Sequence, residues 1–353
     1  MFLTRDDPRG AWSAGRADGI PSGAREVPLD WVCTLTVESR AYFDKDEMGE
    51  AFRDFTTVTG WREQPDPRVH QAGALSFYGV DAVEEGVLRN IPGTDWLGTS
   101  ISVLTLQGRQ LGPGMLERLA AARPWADLSI WDASGWSPAS RTEYMRALAS
   151  FTSLRGLSLA QASLSADDLI ALSAAVDRLE DLALRNCRLD GWGLQAVVER
   201  LGELIYLNLS DAQQGPELIG ALAPRLERAR WLELSRNPIG DLGLRALLDA
   251  GALEHVEDLS LCDCELTDAS ARALAGARLP KLRGLWLDSN LLTDDGIEAL
   301  ACSPLLAQLE GLSLYQRGLT ERSRTALAGH PLAGALTGTC WLPGVNAYWF
   351  MGR

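Results

Sequence analysis

Cys262 and Cys264, with Asp263 between them and His255 shortly upstream, are the closest this chain comes to a nucleophilic or metal-ligating constellation. A lone C-x-C lacks the second pair a zinc site needs, and the other histidines, His70 and His330, lie far away in sequence. A Cys262 thiolate would also stand among Asp258, Asp263 and Glu265, whose charges disfavour it. There is no G-x-S-x-G, no H-E-x-x-H and no Gly-Lys phosphate loop; Gly112-Pro113-Gly114 lacks the lysine and reads as a turn. Catalysis, a bound metal and a cofactor are therefore not expected, and the function is expected to be recognition. The side chains that could carry it are large aromatics and acids: Trp131, Tyr206, Trp231, Trp286 and Tyr315, with Asp181, Asp211, Glu233, Asp258, Asp263 and Asp288, and with Arg185 among them.

These residues are held at corresponding points of a repeating L-x-x-L-x-L pattern. Its clearest copies begin at Leu179, Ala229, Val256, Leu282 and Leu309, with weaker ones at Ile101, Trp125, Leu154 and Leu204. The sixth motif position falls on Leu106, Ile130, Leu159, Leu184, Leu209, Leu234, Leu261, Leu287 and Leu314, at intervals of 24, 29, 25, 25, 25, 27, 26 and 27 residues. A degenerate further copy occupies Ala72 to Phe77. Within each copy the fourth and sixth positions are apolar and alternate with small or polar residues, the period of a strand buried on one face. A stretch such as Leu292 to Ala301 follows, with Ile297, Leu300 and Ala301 at helical spacing. Thr293, Thr267, Ser165 and Thr320 stand before acids and predict helix starts, where a hydroxyl satisfies free N–H groups and carboxylates meet the positive end of the helix dipole.

The motif copies, with their T-D-x-G and A-L-A helical elements, resemble leucine-rich repeats of the ribonuclease-inhibitor-like class over roughly Ala72 to Gly329. The resemblance implies an α/β solenoid or horseshoe with a parallel inner sheet, outer helices and terminal caps. It also implies Asn or Cys at the ninth position, bonding backbone groups between coils. Asn237, Asn290, Cys187 and Cys264 comply; Arg109, Ala162, Ala212 and Arg317 do not, so that ladder is expected to be interrupted there.

The organisation expected is a poorly ordered segment over 1–28, an N-terminal cap and connector over 29–70, nine or ten repeats over 71–335 and a C-terminal cap over 336–353. The first cap combines a strand at Leu29 to Val37 with a helix at Asp44 to Phe55, whose Met48, Ala51, Phe52 and Phe55 share a face. At the other end Trp341, Leu342, Val345, Tyr348, Trp349 and Phe350 are too apolar for a free tail. The long interval after Trp125 holds the loop Asp132 to Arg141, in which Trp136 is either a surface contact or tucked onto its own repeat.

Thirty-three basic against 47 acidic residues leave a formal charge of -14, which argues against nucleic acid or an anionic membrane as partner and for a basic protein. The start, MFLTRDDPRGAWSAG, has no apolar signal core, and no stretch is apolar for long enough to span a bilayer, so a cytoplasmic protein is expected. The six cysteines lack the spacing of a secreted disulfide framework and read as reduced thiols.

If the fourth and sixth positions point into the core, the third, fifth and seventh must line the concave face. That face would run about 40 Å across nine or ten strands at roughly 4.8 Å spacing and would carry the aromatics and acids named above. The expected function is a non-enzymatic protein-interaction scaffold; homo-oligomerisation is left open but is not indicated by the sequence. Resemblance to relatives of this repeat class offers two alternatives: an inhibitor or immunity-type protein for a basic enzyme, and a regulator of a small GTPase.

Overall fold

The computed structural model describes the backbone of seven strands within 1–107, and residues 112–122, 125–131 and 133–341. The expected cap helix at 44–55, the connector residues 62–70 and the C-terminal cap beyond Trp341 lie outside the described residues. The chain forms two compact units, Met1–Ala162 and Ser163–Arg353.

In the first unit the strands are β1 (Phe2–Thr4), β2 (Trp12–Gly15), β3 (Arg25–Glu26), β4 (Val32–Glu38), β5 (Thr56–Trp61), β6 (Gly73–Tyr78), β7 (Ile101–Gln107), β8 (Asp127–Trp131) and β9 (Gly156–Ala160). β4, β6, β7, β8 and β9 pair in parallel, and β5, β2, β1 and β3 extend the β4 edge in antiparallel fashion. β4 covers most of the strand expected at Leu29 to Val37, and β6 the degenerate repeat. Three short strands fall within 1–28, where composition alone predicts poor order. Helices α1 (Pro113–Ala122) and α2 (Arg141–Leu148) follow β7 and β8. The loop before α2 tucks inward: Trp136 is buried and stacks on Tyr144 of α2 with ring centroids 4.3 Å apart. That settles the alternative left open by its Pro, Gly and Ser neighbours, because an indole so placed removes a large apolar area from water.

The second unit repeats strand, turn and helix in the period of its leucines. Its strands are β10 (Ser163–Leu164), β11 (Asp181–Arg185), β12 (Arg188–Leu189), β13 (Tyr206–Asn208), β14 (Trp231–Glu233), β15 (Asp258–Ser260), β16 (Gly284–Trp286), β17 (Gly311–Ser313) and β18 (Cys340–Trp341). Its helices are α3 (Ala166–Leu172), α4 (Gly191–Arg200), α5 (Pro216–Leu222), α6 (Gly240–Asp249), α7 (Asp268–Gly276), α8 (Asp294–Ala301) and α9 (Glu321–Ala326). The sheet runs β11-β13-β14-β15-β16-β17 in parallel and closes on antiparallel β18, while β10 pairs with β12 apart. The α/β leucine-rich-repeat architecture expected from the motif is thus present.

The core follows the leucine ruler. Leu128, Ile130, Leu157, Leu159, Leu182, Leu184, Leu207, Leu209, Leu232, Leu234, Leu259, Leu261, Leu285, Leu287, Leu312 and Leu314 are all 2 % exposed or less. Each contributes roughly 1.5–3 kcal/mol of burial, so one column of two leucines per coil holds each strand against its own helix.

Between coils the polar ladder is more continuous than the motif implies. Asn290 donates from Nδ2 to the carbonyls of Leu261 and Leu287 at 2.8 Å and accepts at Oδ1 from the N–H groups of Cys264 and Leu266. Asn237 donates likewise to Leu209 and Leu234, and accepts from Gln214 N–H. Where the ninth position is Ala212, Gln214 reaches back to the carbonyls of Leu189 and Ala212. Where it is Arg317, the preceding Gln316 donates to Leu287 O. The expected interruption at Arg317 is therefore corrected, since an amide one residue away reaches the row of carbonyls that the asparagines bond, while at Ala212 the Gln214 amide bonds a different pair of buried carbonyls.

A second ladder joins the helix starts. The N–H and hydroxyl of Thr267 both donate to Asp241, those of Thr293 to Asp268 and those of Thr320 to Asp294. Each threonine Oγ1 in turn accepts the N–H two residues on, from Ala269, Asp295 or Arg322. Every such hydroxyl is thereby an N-cap for its own helix and a donor to the helix before it.

Candidate functional site

The parallel register places the proposed recognition residues in columns. At the third motif position Asp181 pairs with Tyr206, Tyr206 with Trp231, Trp231 with Asp258, Asp258 with Gly284 and Gly284 with Gly311. At the fifth, Ala183, Asn208, Glu233, Ser260, Trp286 and Ser313 follow in the same order. Since the intervening leucines are buried, both columns belong to the sheet face away from the core. Trp131 ends β8 in the first unit, and its side chain lies outside the described residues.

Much of this face is preorganised by its own hydrogen bonds. Tyr206 is half-buried, its phenol accepts from Asn208 Nδ2 at 3.0 Å, and burial pushes its pKa above the usual value. Asn208 Oδ1 takes the N–H and hydroxyl of Ser210. Glu233 accepts Ser235 N–H at 2.8 Å. Asp288 accepts the buried Ser313 hydroxyl at 2.7 Å and Tyr315 N–H at 2.8 Å. Sequence alone reads Glu233 and Asp288 as acids offered to a partner; the structure gives each an internal bond that fixes a neighbouring turn. Arg185 is half-buried at the end of β11, and Tyr315 is half exposed.

Asp211 and Asp263 sit three residues beyond the ends of their strands in the left-handed region, at φ of 55° and 53°. The same motif position is left-handed at Gln161, Asn186, Arg236 and Ser289. Asp and Asn tolerate that conformation best among non-glycine residues, so Asp211 and Asp263 have a backbone reason to be there as well as any binding role.

Asp258 differs from the other acids. It is 7 % exposed, and neither carboxylate oxygen makes a well-formed hydrogen bond, the Trp231 indole being the donor beside it. Burial pushes its pKa up to about 7; the Trp231 indole draws it back only in part, Glu257 and Glu310 add to the rise and Arg283 opposes it. Two arginines at this edge of the sheet already have acidic partners, Arg283 pairing with Glu310 and Arg230 approaching Glu257 at 3.9 Å. Gly284 makes the arrangement possible. A Cβ there would collide with Asp258 Oδ1 and with Cη2 and Cζ3 of Trp286, so the carboxylate and the far edge of that indole share the space above the glycine. Gly156 stands in the same relation to Asp127 in the first unit. The signal was in the sequence as a glycine one repeat after an aspartate in the third column, but only the register gives it meaning.

The Cys262 and Cys264 thiols are poor nucleophiles. Burial pushes Cys262 up to about 11 and Cys264 up to about 12, with Asp288 adding to the first. Cys264 and Cys187 are buried ladder residues donating to Leu234 O and Arg185 O, Cys262 and Cys340 are half-buried, and Cys302 is exposed. Among the described residues no group of His, Cys, Asp or Glu side chains is arranged to hold a metal ion, and no helix is long and apolar enough to cross a membrane.

Comparison with known proteins agrees with the repeat pattern. A family model described as Leucine Rich repeat matches residues 231–248, from Trp231 of β14 into α6. The ribonuclease inhibitor of Sus scrofa is 33 % identical over 144 residues, 39 % of this chain and 31 % of the relative. That of Mus musculus is 29 % identical over 168 residues, 43 % and 36 % respectively. The chain thus spans about a third of the length of these curated relatives. Among solved structures, the yeast Rad7 and Elc1 complex aligns with a TM-score of 0.44 at 18 % identity, covering 65 % of this chain and 67 % of that one.

Proposed function

We propose that this chain, a leucine-rich-repeat protein of the ribonuclease-inhibitor-like class, is a non-enzymatic binding module that engages a basic protein on the open sheet face of its second unit. The carrying observation is the in-register row Asp181, Tyr206, Trp231 and Asp258 with Trp286 beside it. Aromatic side chains on short, preorganised strands supply large contact area with little ordering cost, and tryptophan and tyrosine dominate interface hot spots. The formal charge of -14 supports a cationic partner, because complementary fields speed encounter and select against acidic surfaces.

Affinity capture from native lysate tests the reading with wild type beside the Trp231→Ala, Trp286→Ala double variant. The wild type should retain a basic protein at low salt and release it as salt rises, while the double variant captures none of it at unchanged thermal stability. Equal capture by both proteins would remove the face from consideration. A second reading, inhibition of a basic enzyme, is favoured by the ribonuclease inhibitors among the matched relatives. Stoichiometric co-purification with loss of the partner's turnover would distinguish it from simple scaffolding.

A further inference from the structure

Among the described residues of the second unit, Asp258 is the acid of the sheet face whose two oxygens are both buried, with the Trp231 indole as the donor beside it and no well-formed hydrogen bond to either oxygen. A carboxylate in that position is costly unless something satisfies it, because the lost hydration is not replaced. Its neighbours in the column are Trp231 on one side and Gly284 on the other, with the Trp286 ring edge occupying the place a side chain at Gly284 would take. The Trp231 indole on one side and the Trp286 ring edge on the other therefore bracket a buried carboxylate whose hydrogen bonding is incomplete. Resting on the reading that this face binds a basic protein, we propose that Asp258 is the anchor for one arginine of the partner, admitted when Trp286 swings off Gly284.

The chemistry selects a guanidinium. Its planar fork offers several N–H donors to a carboxylate whose hydrogen bonding is incomplete, and its face stacks on an indole. A lysine ammonium presents a compact, strongly hydrated charge that loses more water on entering such a slot. The surrounding charges favour the visitor: Glu257 and Glu310 add negative potential, while Arg283 is already paired with Glu310. Asp288 and Glu233 accept intramolecular hydrogen bonds and compete less well for the same cation. Since neither Asp258 oxygen reaches solvent in the closed arrangement, entry requires the Trp286 side chain to move. Gly284 leaves that ring without a neighbouring Cβ beneath it, so the motion needs no change of backbone.

The test uses end-blocked tetra-arginine and tetra-lysine peptides, titrated into the whole chain at low salt and followed by tryptophan fluorescence and calorimetry. At pH 8 the wild type should bind tetra-arginine at least fivefold tighter than tetra-lysine. Asp258→Asn should weaken tetra-arginine about tenfold and abolish the preference, while Glu254→Gln, an equal change of net charge at an exposed site, leaves both intact. Wild-type affinity for tetra-arginine should fall on going to pH 5.5, and that of Asp258→Asn should not. Asp258→Asn removes a buried charge without changing shape and is expected to fold; a thermal melt of each variant confirms it. Equal weakening by Asp258→Asn and Glu254→Gln, or the absence of an arginine preference in wild type, overturns the anchor. In that event, continued loss of partner capture by the double tryptophan variant would show that the broader binding reading stands. Capture unaffected by the double variant, together with no peptide preference, would remove both.

Discussion

Thr320 donates its hydroxyl to Asp294 Oδ2 at 2.6 Å and its N–H to Oδ1 at 2.9 Å, joining two helix starts that are 26 residues apart. Ser323 adds a third donor to the same carboxylate. These bonds favour the ionised form and hold Asp294 well below the usual carboxylate range, the Ser323 and Thr320 side chains contributing most. A depressed folded pKa means stability that is present above the unfolded value and lost as pH falls through the folded one. Asp294→Asn should therefore lower the melting temperature at neutral pH, and the gap to wild type should narrow once the pH drops below about 4. A gap that is constant down to pH 2 would mean that charge plays no part in this ladder.

Asp258 has the opposite sign. Its folded pKa is raised to about 7, so its contribution is fully present below the unfolded value and is lost as pH rises through the folded one. Asp258→Asn should melt higher than wild type at pH 8.5, with the difference closing on acidification toward about pH 4. A variant that melts lower at every pH would mean that the carboxylate is satisfied in solution.

The amide ladder makes a steeper demand. Asn290→Ala strips the donors from the Leu261 and Leu287 carbonyls and the acceptor from the Cys264 and Leu266 N–H groups, all within the core. The expected loss is roughly 3 kcal/mol or more, from two or more buried groups left unpaired. Denaturant titration measures it. Leu259→Ala, a pure apolar truncation in the adjacent coil, should cost about 2–5 kcal/mol by comparison.

Alkylation of the native protein at pH 8 orders the thiols. Cys302 is exposed and should be modified first, whereas Cys262 and Cys264, raised to about 11 and about 12, should react only on unfolding. Peptide mapping over a time course checks the order, and early labelling of Cys264 would show that the coil around it opens.

The leucines show how far a one-dimensional pattern reaches. Their interval alone places Leu232, Leu259 and Leu285 inside, and the alternation of a strand then puts Trp231 and Asp258 in one outward column, which the pairing register bears out. Trp136 was ambiguous because nothing local distinguishes a loop indole facing water from one stacked on Tyr144. The glutamine bonds are not legible for a related reason: Gln214 and Gln316 are off the motif position, and only their reach in space brings their amides to backbone carbonyls of the preceding coil.

Periodicity, then, was enough to determine the strand–helix unit, the buried leucines and the membership of each outward column, because those depend on spacing along the chain and on the two faces of a strand. Tertiary structure decided what each outward acid does. Asp288 is occupied because Ser313 comes to lie beside it, Asp294 because Thr320 does, and Asp258 is buried against two indoles with incomplete hydrogen bonding because its neighbour in space, Gly284, has no side chain. Hydrogen-bond partners one coil away are some 25 residues distant in sequence, and whether a charge is satisfied is settled at distances of about 3 Å, which spacing along the chain does not encode.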